Sequence, residues 1–390
     1  MCDATCFTFP CQLGKFPNKT MKIAYYMPFK PMDHVHPSGD LVTGTELYNL
    51  LADRGHTITL ASRLRCRWIY YKPLTLLRLF GERNRILRQY KNAKPDLWLS
   101  YHSYYKAPDL LGSMCSRRLG IPYVIFQGIY STKRRKQLKT LPGFLLNRNV
   151  LQSANHVFTN KQRDFKNLRR LLPENRLSYI APGIHPRFFE FSSDWRKQLR
   201  QLWKIEDETI IMTAAMMRPG VKTDGIRSVI ESCSELAQRG LPLRLIIAGD
   251  GNCRQQLEGA AELLPDRVHF LGKIPRPELY RYYSAADIFA FPGVEESLGM
   301  VYLEAQSCNL PVVAYNDWGG GEAVVHNQTG LLSPMAEPSL FTTHIRRLLE
   351  DKEKRRTLGF EAGEHIRRNH DLDHNYNRLE EKLIALSERM

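Results

Sequence analysis

A chain of 390 residues exceeds the size at which a single hydrophobic core stops growing, so two domains are expected. With 43% hydrophobic and 25% charged residues, and no apolar run near the roughly 20 residues that span a bilayer, the composition reads as a soluble globular protein rather than a helical membrane protein. The net charge of +16 is uneven: residues 1–190 carry 31 Lys and Arg against 11 Asp and Glu, whereas residues 191–390 carry 25 against 29, so a basic contact surface belongs to the first half.

Residues 1–20, MCDATCFTFPCQLGKFPNKT, hold no apolar stretch of the kind a secretory signal needs. They are expected to be a disordered tail or the product of a start placed too early, because MKIAYYM from Met21 has the form of a first strand. A cytoplasmic location follows as an expectation. Cys2, Cys6 and Cys11 fall in this leader, while Cys66, Cys115, Cys233, Cys253 and Cys308 are scattered singly without a CxxC pair, so reduced thiols are expected.

From Met21 onward, short apolar runs alternate with amphipathic segments: KIAYYM, GTELYNLLADRG, HTITLAS, DLWLSY, PYVIFQG, HVFTN and LSYIAPG. Apolar runs without polar alternation signal parallel strands covered on both faces, hence a doubly wound α/β domain over residues 21–186. APGIHPRFFEFSSDWRKQLR, with Pro182, Gly183 and Pro186, reads as a turn and linker, with the hinge near residues 183–192. The same beat restarts over residues 187–370 with TIIMTAAM, LRLIIAGDG, VHFLG, DIFAFPG and PVVAYND, and the helical pattern IRSVIESCSELAQRG ends at Gly240. Residues 371–390, ending in NRLEEKLIALSERM, form a charged amphipathic helix.

The parallel-sheet reading places ligands outside the carboxyl ends of the strands, in a cleft faced by both domains. After DIFAFP, the segment GVEESLGM enters the helix MVYLEAQSC and offers turn amides at Ser297, Leu298, Gly299 and Met300, suited to phosphate. Glu296 then lies in the loop and Glu304 inside the helix, where each is an acceptor for sugar or ribose hydroxyls; the plain alternative is two solvated acids. Gly319, Gly320 and Gly321 form a second glycine-rich turn, with Glu322 beginning a helix. MMRPGVKTDG places Arg218 and Lys222 at the end of the first strand of this half, where two cations suit a diphosphate.

Taken together, RPGVKTDG, IIAGDG, HFLG and EESLGMVYLEAQSCNLPVVAYNDWGGGEAVVHNQTGLL resemble the retaining glycosyltransferases of family 4, the glycosyl transferases group 1, over most of residues 21–370. The resemblance implies a GT-B fold: α/β, with two Rossmann-like doubly wound parallel-sheet domains facing a cleft. It implies that Glu296 contacts the donor sugar, that Glu304 contacts the ribose, and that Arg218, Lys222 and the amides of Leu298 to Met300 hold the diphosphate. No metal and no cofactor are expected beyond the nucleotide-sugar donor, with UDP favoured over GDP. PSGD at 37–40 matches the glycine-rich loop after the first strand, so Gly39 is a donor-side candidate, and base recognition is expected near Lys273 and Ile274. In such proteins the final helix often returns to the first domain, as a brace. Three positions depart from the family pattern: Gln127 stands where a His is usual, His185 stands where an Asp is common, and Arg218 and Lys222 are one residue closer than usual.

The resemblance therefore implies metal-independent, front-face transfer of a sugar with retention, onto a glycan or lipid-linked acceptor of the cell envelope. Two other readings stay open, a non-catalytic nucleotide-sugar or membrane-binding protein, which Gln127 encourages, and a GT-B sugar-nucleotide epimerase. His102 and Tyr104 are acceptor-side candidates. In the basic half, RLRCRWIYYKPLTLLRLFGERNRILRQYK and KRRKQLKTLPGFLL mix cations with aromatic and leucine residues, which suits peripheral docking on an anionic membrane better than nucleic acid.

Overall fold

The computed structural model describes residues 19–33, 39–296 and 298–388. The apolar runs of the first half become six parallel strands: β1 (Lys22–Tyr26), β2 (Thr57–Ser62), β3 (Leu97–Ser103), β4 (Tyr123–Gly128), β5 (His156–Thr159) and β6 (Leu177–Tyr179), in the order β2-β1-β3-β4-β5-β6. Residues of β3, β4 and β5 are buried throughout, and the stretches Leu97–Leu99 and Tyr123–Phe126 show no polar alternation. Edge strand β2 is buried only over its last two residues.

A second parallel sheet contains β7 (Thr209–Ala214), β8 (Leu243–Ala248), β9 (Val268–Gly272), β10 (Ile288–Ala290), β11 (Val312–Tyr315) and β12 (Gly330–Ser333), in the order β12-β11-β10-β7-β8-β9. The short strand β12, within HNQTGLL, is one that the run-by-run reading of the sequence omits. Each sheet reverses its direction of growth once, between β1 and β3 in the first and between β7 and β10 in the second. Those reversals open crevices at the carboxyl ends of the strands.

The described residues up to Tyr179, together with those from Arg378, form one unit; Ile180–Asn377 form the other. The division thus precedes the expected hinge. Ile184 N donates to His370 O at 2.9 Å and Leu372 N donates to Ile184 O at 2.8 Å, while Ile184 and Phe189 are buried in the second core. A Cβ on Gly183 would lie 2.9 Å from His370 O, so this close approach requires glycine. Nor is all of 181–200 a linker: Ser193–Leu202 is a helix, capped by Ser192 Oγ accepting from Trp195 N at 3.3 Å. Its Arg196 and Arg200 grip Asp287 at 2.5 and 3.0 Å, and this pairing together with an amide bond from Ile210 holds the Asp287 carboxyl below its usual range despite burial.

The last helix, Leu372–Ser387, passes from the second unit into the first. There Glu380 receives Arg54 Nη1 at 2.6 Å and His56 Nε2 at 2.6 Å. Met21 N donates to His56 Nδ1 at 3.1 Å, which leaves Nε2 as the nitrogen that donates to Glu380. The described cysteines, Cys66, Cys115, Cys233, Cys253 and Cys308, are free and buried. No helix among the described residues is long and apolar enough to cross a membrane.

Candidate active site

In the second unit the chain after β7 turns through Arg218 and Gly220 into the helix Val221–Gln238, which carries Lys222 in its first turn. Gly220 has φ 104°, and Thr223 Oγ1 closes the turn on Arg218 O at 2.6 Å. The turn is braced from β8: Cβ atoms on Gly249 and Gly251 would lie 1.9 Å from Ala215 O and 2.5 Å from Met217 O, so the Gly-Asp-Gly sequence is the condition for that contact. The Arg218 side chain is exposed.

Across the strand reversal, the chain after β10 runs through Glu296, Leu298 and Gly299 into the helix Met300–Ser307. Gly299 has φ 69°; Tyr302 N and Leu303 N donate to its carbonyl at 2.9 and 3.3 Å, so the amides of Met300 and Val301 precede the helix's ladder. Glu296 Oε2 lies 3.6 Å from Lys222 Nζ, so the two loops that flank the reversal are joined by an ion pair. The second glycine turn closes on the same place: Gly319 N donates to Glu296 O at 2.8 Å, and a Cβ on Gly299 would sit 2.7 Å from Gly319 O. Ser297 lies outside the described residues.

Glu304 sits one turn into that helix and is 3% exposed. Arg276 Nε donates to its Oε1 at 2.7 Å and Tyr283 OH to its Oε2 at 3.4 Å. Burial, and after it the Glu304 carboxylate, raises the Tyr283 phenol well above its ordinary pKa, so it remains a donor. The two glutamates therefore serve different partners: Glu296 faces a cation from the β7 loop, and Glu304 faces a donor pair from the run Arg276–Ala285. Lys273 is exposed, while Ile274 packs on the second core. Among the described residues, no group of three or more His, Cys, Asp or Glu is placed to hold a metal ion.

This switch-point assembly coincides with a known sequence family. Residues 196–365 match the family model described as glycosyl transferases group 1. A GDP-mannose-dependent alpha-(1-6)-phosphatidylinositol monomannoside mannosyltransferase of Mycolicibacterium smegmatis is 30% identical over 202 residues. Residues 196–365 are thus similar to the group 1 glycosyl transferases.

That match covers 50% of this chain and 52% of the mycobacterial relative, so the chain spans about half of that relative's length. The alpha-D-kanosaminyltransferase of Streptomyces kanamyceticus is 25% identical over 293 residues, 71% of this chain and 75% of the relative. In fold, the chain is similar to the Anabaena protein HepE solved with UDP, with a TM-score of 0.71 and 19% identity over 94% of this chain and all of that one. The two-sheet architecture is the GT-B fold.

The first unit holds the remaining candidates. Gly39 opens the helix Gly39–Asp53, and residues 34–38, which include Pro37 and Ser38 of the expected loop, lie outside the described residues. Gln127 and His102, at the ends of neighbouring strands β4 and β3, have φ of 65° and 70°. Such left-handed backbone in non-glycine residues is sparsely populated and concentrates at functional sites. Gln127 is 2% exposed and its Oε1 accepts from Asn160 N at 3.3 Å. The His102 ring stacks on Tyr104 with centroids 4.7 Å apart and meets Phe29 edge-on at 5.4 Å. His185 is used within the second unit, its Nδ1 3.1 Å from Asp373.

Proposed function

We propose that this protein is a retaining glycosyltransferase, taking a sugar from a nucleotide-sugar donor to a glycan or lipid-linked acceptor without a metal ion. The observation that carries the reading is the pairing of Lys222 with Glu296 across the β7/β10 reversal, beside the Gly299 helix start and the buried Glu304. A cation, helix amides and carboxylates at one strand reversal match the parts of a nucleotide-sugar: diphosphate, sugar hydroxyls and ribose hydroxyls. Glu304, held by Arg276 and Tyr283, takes the ribose, and Glu296 takes the sugar.

In the proposed reaction the bond from the sugar's anomeric carbon to the diphosphate oxygen breaks, and the acceptor oxygen bonds to that carbon on the same face. The acceptor's proton passes to the departing diphosphate. Lys222, Arg218 and the amides near Met300 stabilise the negative charge that develops there, which is the main contribution asked of the protein. UDP is assigned ahead of GDP as the donor base; the Anabaena structure is a complex with UDP, whereas the mycobacterial relative is named for its dependence on GDP-mannose.

A thermal-shift titration with UDP-glucose, GDP-mannose and ADP-glucose tests the reading. Ligand at a hundred times its dissociation constant adds about 2.7 kcal/mol, a rise of roughly 5 °C or more for a unit of about 200 residues. Transfer with a responding donor should then proceed after chelation of divalent ions, with retained anomeric configuration by NMR. Absence of any shift in a folded sample would overturn the donor site, and an inverted product would overturn the mechanism.

A further inference from the structure

Three neighbouring strands of the first sheet end in buried polar side chains. His102 is the last residue but one of β3, Gln127 holds the same place in β4, and Asn160 follows the last residue of β5. The parallel registers Tyr101↔Phe126, Ser103↔Gly128 and Phe126↔Phe158 set these ends side by side, so the row spans two strand spacings, about 10 Å. The three residues are only 6%, 2% and 4% exposed.

Two of them keep polar groups that the protein's own hydrogen bonds do not use. Gln127 Oε1 accepts from Asn160 N at 3.3 Å, which ties the two strand ends together, but Gln127 Nε2 donates to none of the described residues. Asn160 Oδ1 is buried without a partner, and Asn160 Nδ2 likewise donates to no described residue. Native proteins leave few buried polar atoms unpaired, because each gives up its hydration for nothing. Left-handed backbone at His102 and Gln127, with φ of 70° and 65°, adds strain beside this orphaned acceptor. Local rules broken together at one place mark a site kept for a ligand rather than for stability.

The missing partner has to donate to one carboxamide oxygen and accept from two amide groups. A sugar hydroxyl donates and accepts at a single atom, and neighbouring hydroxyls on one ring can meet two carboxamides at once. The row holds no carboxylate, lysine or arginine, so it carries nothing that would select a charged ligand. Phe29 and Tyr104 pack on the His102 ring with centroids 5.4 and 4.7 Å away, and they supply the apolar ring faces that a few placed polar groups need around them in a small-molecule site.

We propose that Gln127 and Asn160 bind neighbouring hydroxyls of an uncharged sugar ring, that of the acceptor, and that Asn160 is a specificity-determining residue for it. The acceptor is favoured over the donor because these residues belong to the first unit, whereas Arg218, Lys222, Glu296 and Glu304 belong to the second. The identity of the sugar as acceptor rests on the sugar-transfer reading; the hydroxyl site itself does not.

The test is saturation-transfer NMR on the full chain with the methyl α-glycosides of glucose, galactose, mannose and N-acetylglucosamine, and with myo-inositol. The parent should bind at least one of these. Asn160→Leu removes an acceptor and a donor together and should weaken that binding about tenfold or more. It should nevertheless melt no lower than the parent, since an unpaired buried amide gives way to an apolar group of similar size. Asn160→Ala repeats the comparison without added bulk. Among monodeoxy forms of the bound sugar, at least one should bind the parent more weakly and yet bind Asn160→Leu as the full sugar does, the sign of direct contact. Binding of none of the probes would overturn the site, as would both variants binding like the parent. So would both variants melting several degrees lower, because the amide would then be serving the fold, and so would displacement of the sugar by uridine or guanosine, because the amides would then be reading a base. Melting shifts with UDP and GDP report on the donor site separately: in Asn160→Leu they should match the parent's, and their absence in the parent would count against the sugar-transfer reading alone.

Discussion

Glu304→Gln separates a ligand contact from a structural role. The side chain is 3% exposed, and the amide would retain an oxygen for Arg276 Nε, now at 2.7 Å, while the charge is lost. Arg276 is itself about half exposed, so the pair is not a fully buried one, and its weakening should cost about 1 kcal/mol of stability, a fall in melting temperature of under about 4 °C. A hydrogen bond to a charged group contributes about 1.5–3 kcal/mol, so nucleotide affinity should drop by roughly 10- to 150-fold if this carboxylate accepts from the ribose. Calorimetric titration of UDP and GDP, each against its 2′-deoxy form, is the assay. The parent protein should lose affinity for the deoxy nucleotide, and Glu304→Gln should bind both forms alike. A variant binding the ribonucleotide within threefold of the parent would refute the assignment. Arg276→Ala is the companion: it leaves the carboxylate in place without its strongest donor, so it should weaken binding less than Glu304→Gln and destabilise more.

Lys222→Ala should lower kcat/KM by about a hundredfold or more, as loss of one group stabilising developing charge does elsewhere, with the melting temperature nearly unchanged because the 3.6 Å pair to Glu296 is partly solvated. Steady-state kinetics alongside a melting curve check both halves. Gly299→Ala puts a Cβ 2.5 Å from the Tyr302 ring and 2.7 Å from Gly319 O at φ 69°, so it should cost about 2 kcal/mol or more, read by urea unfolding. Burial holds His156 and His370 down to about 4, so both are neutral in the folded protein and take up protons on unfolding between about pH 6.5 and 4. Stability should therefore fall as the pH drops through that window, and His370→Gln should flatten the slope in melting curves taken across it.

The strands are legible where both faces of a sheet are covered and apolar residues run together; Ile210–Met212 of β7 and Val312–Tyr315 of β11 are the clearest cases, whereas β3 also buries Ser100, His102 and Ser103. Four-residue β12 is too short to stand out from its turn. The helix Ser193–Leu202 hides behind Pro182, Gly183 and Pro186, although Ser192 and Asp194 mark its start in the sequence. Within the site, Glu296 and Lys222 can be named from their loops, but their pairing depends on β10 returning beside β7, which no local pattern encodes. Arg276 gives no signal at all: it is one arginine between two prolines, 28 residues from the glutamate it holds, and it acts together with Tyr283 only because one short helical run carries both. The left-handed backbone of His102 and Gln127 is equally silent, since neither side chain announces a positive φ.

The placement of Glu380 fixes an order of events in the making of this protein. Arg54 and His56 are synthesised among the first sixty residues, yet their carboxylate partner leaves the ribosome only after the whole of the second unit has been made. Until then the edge of the first sheet holds a buried imidazole and a guanidinium with no counter-charge from that helix. The first unit therefore matures last. A premature stop just beyond Asn377 would leave the second unit's sequence entire and do its damage at the opposite end of the chain.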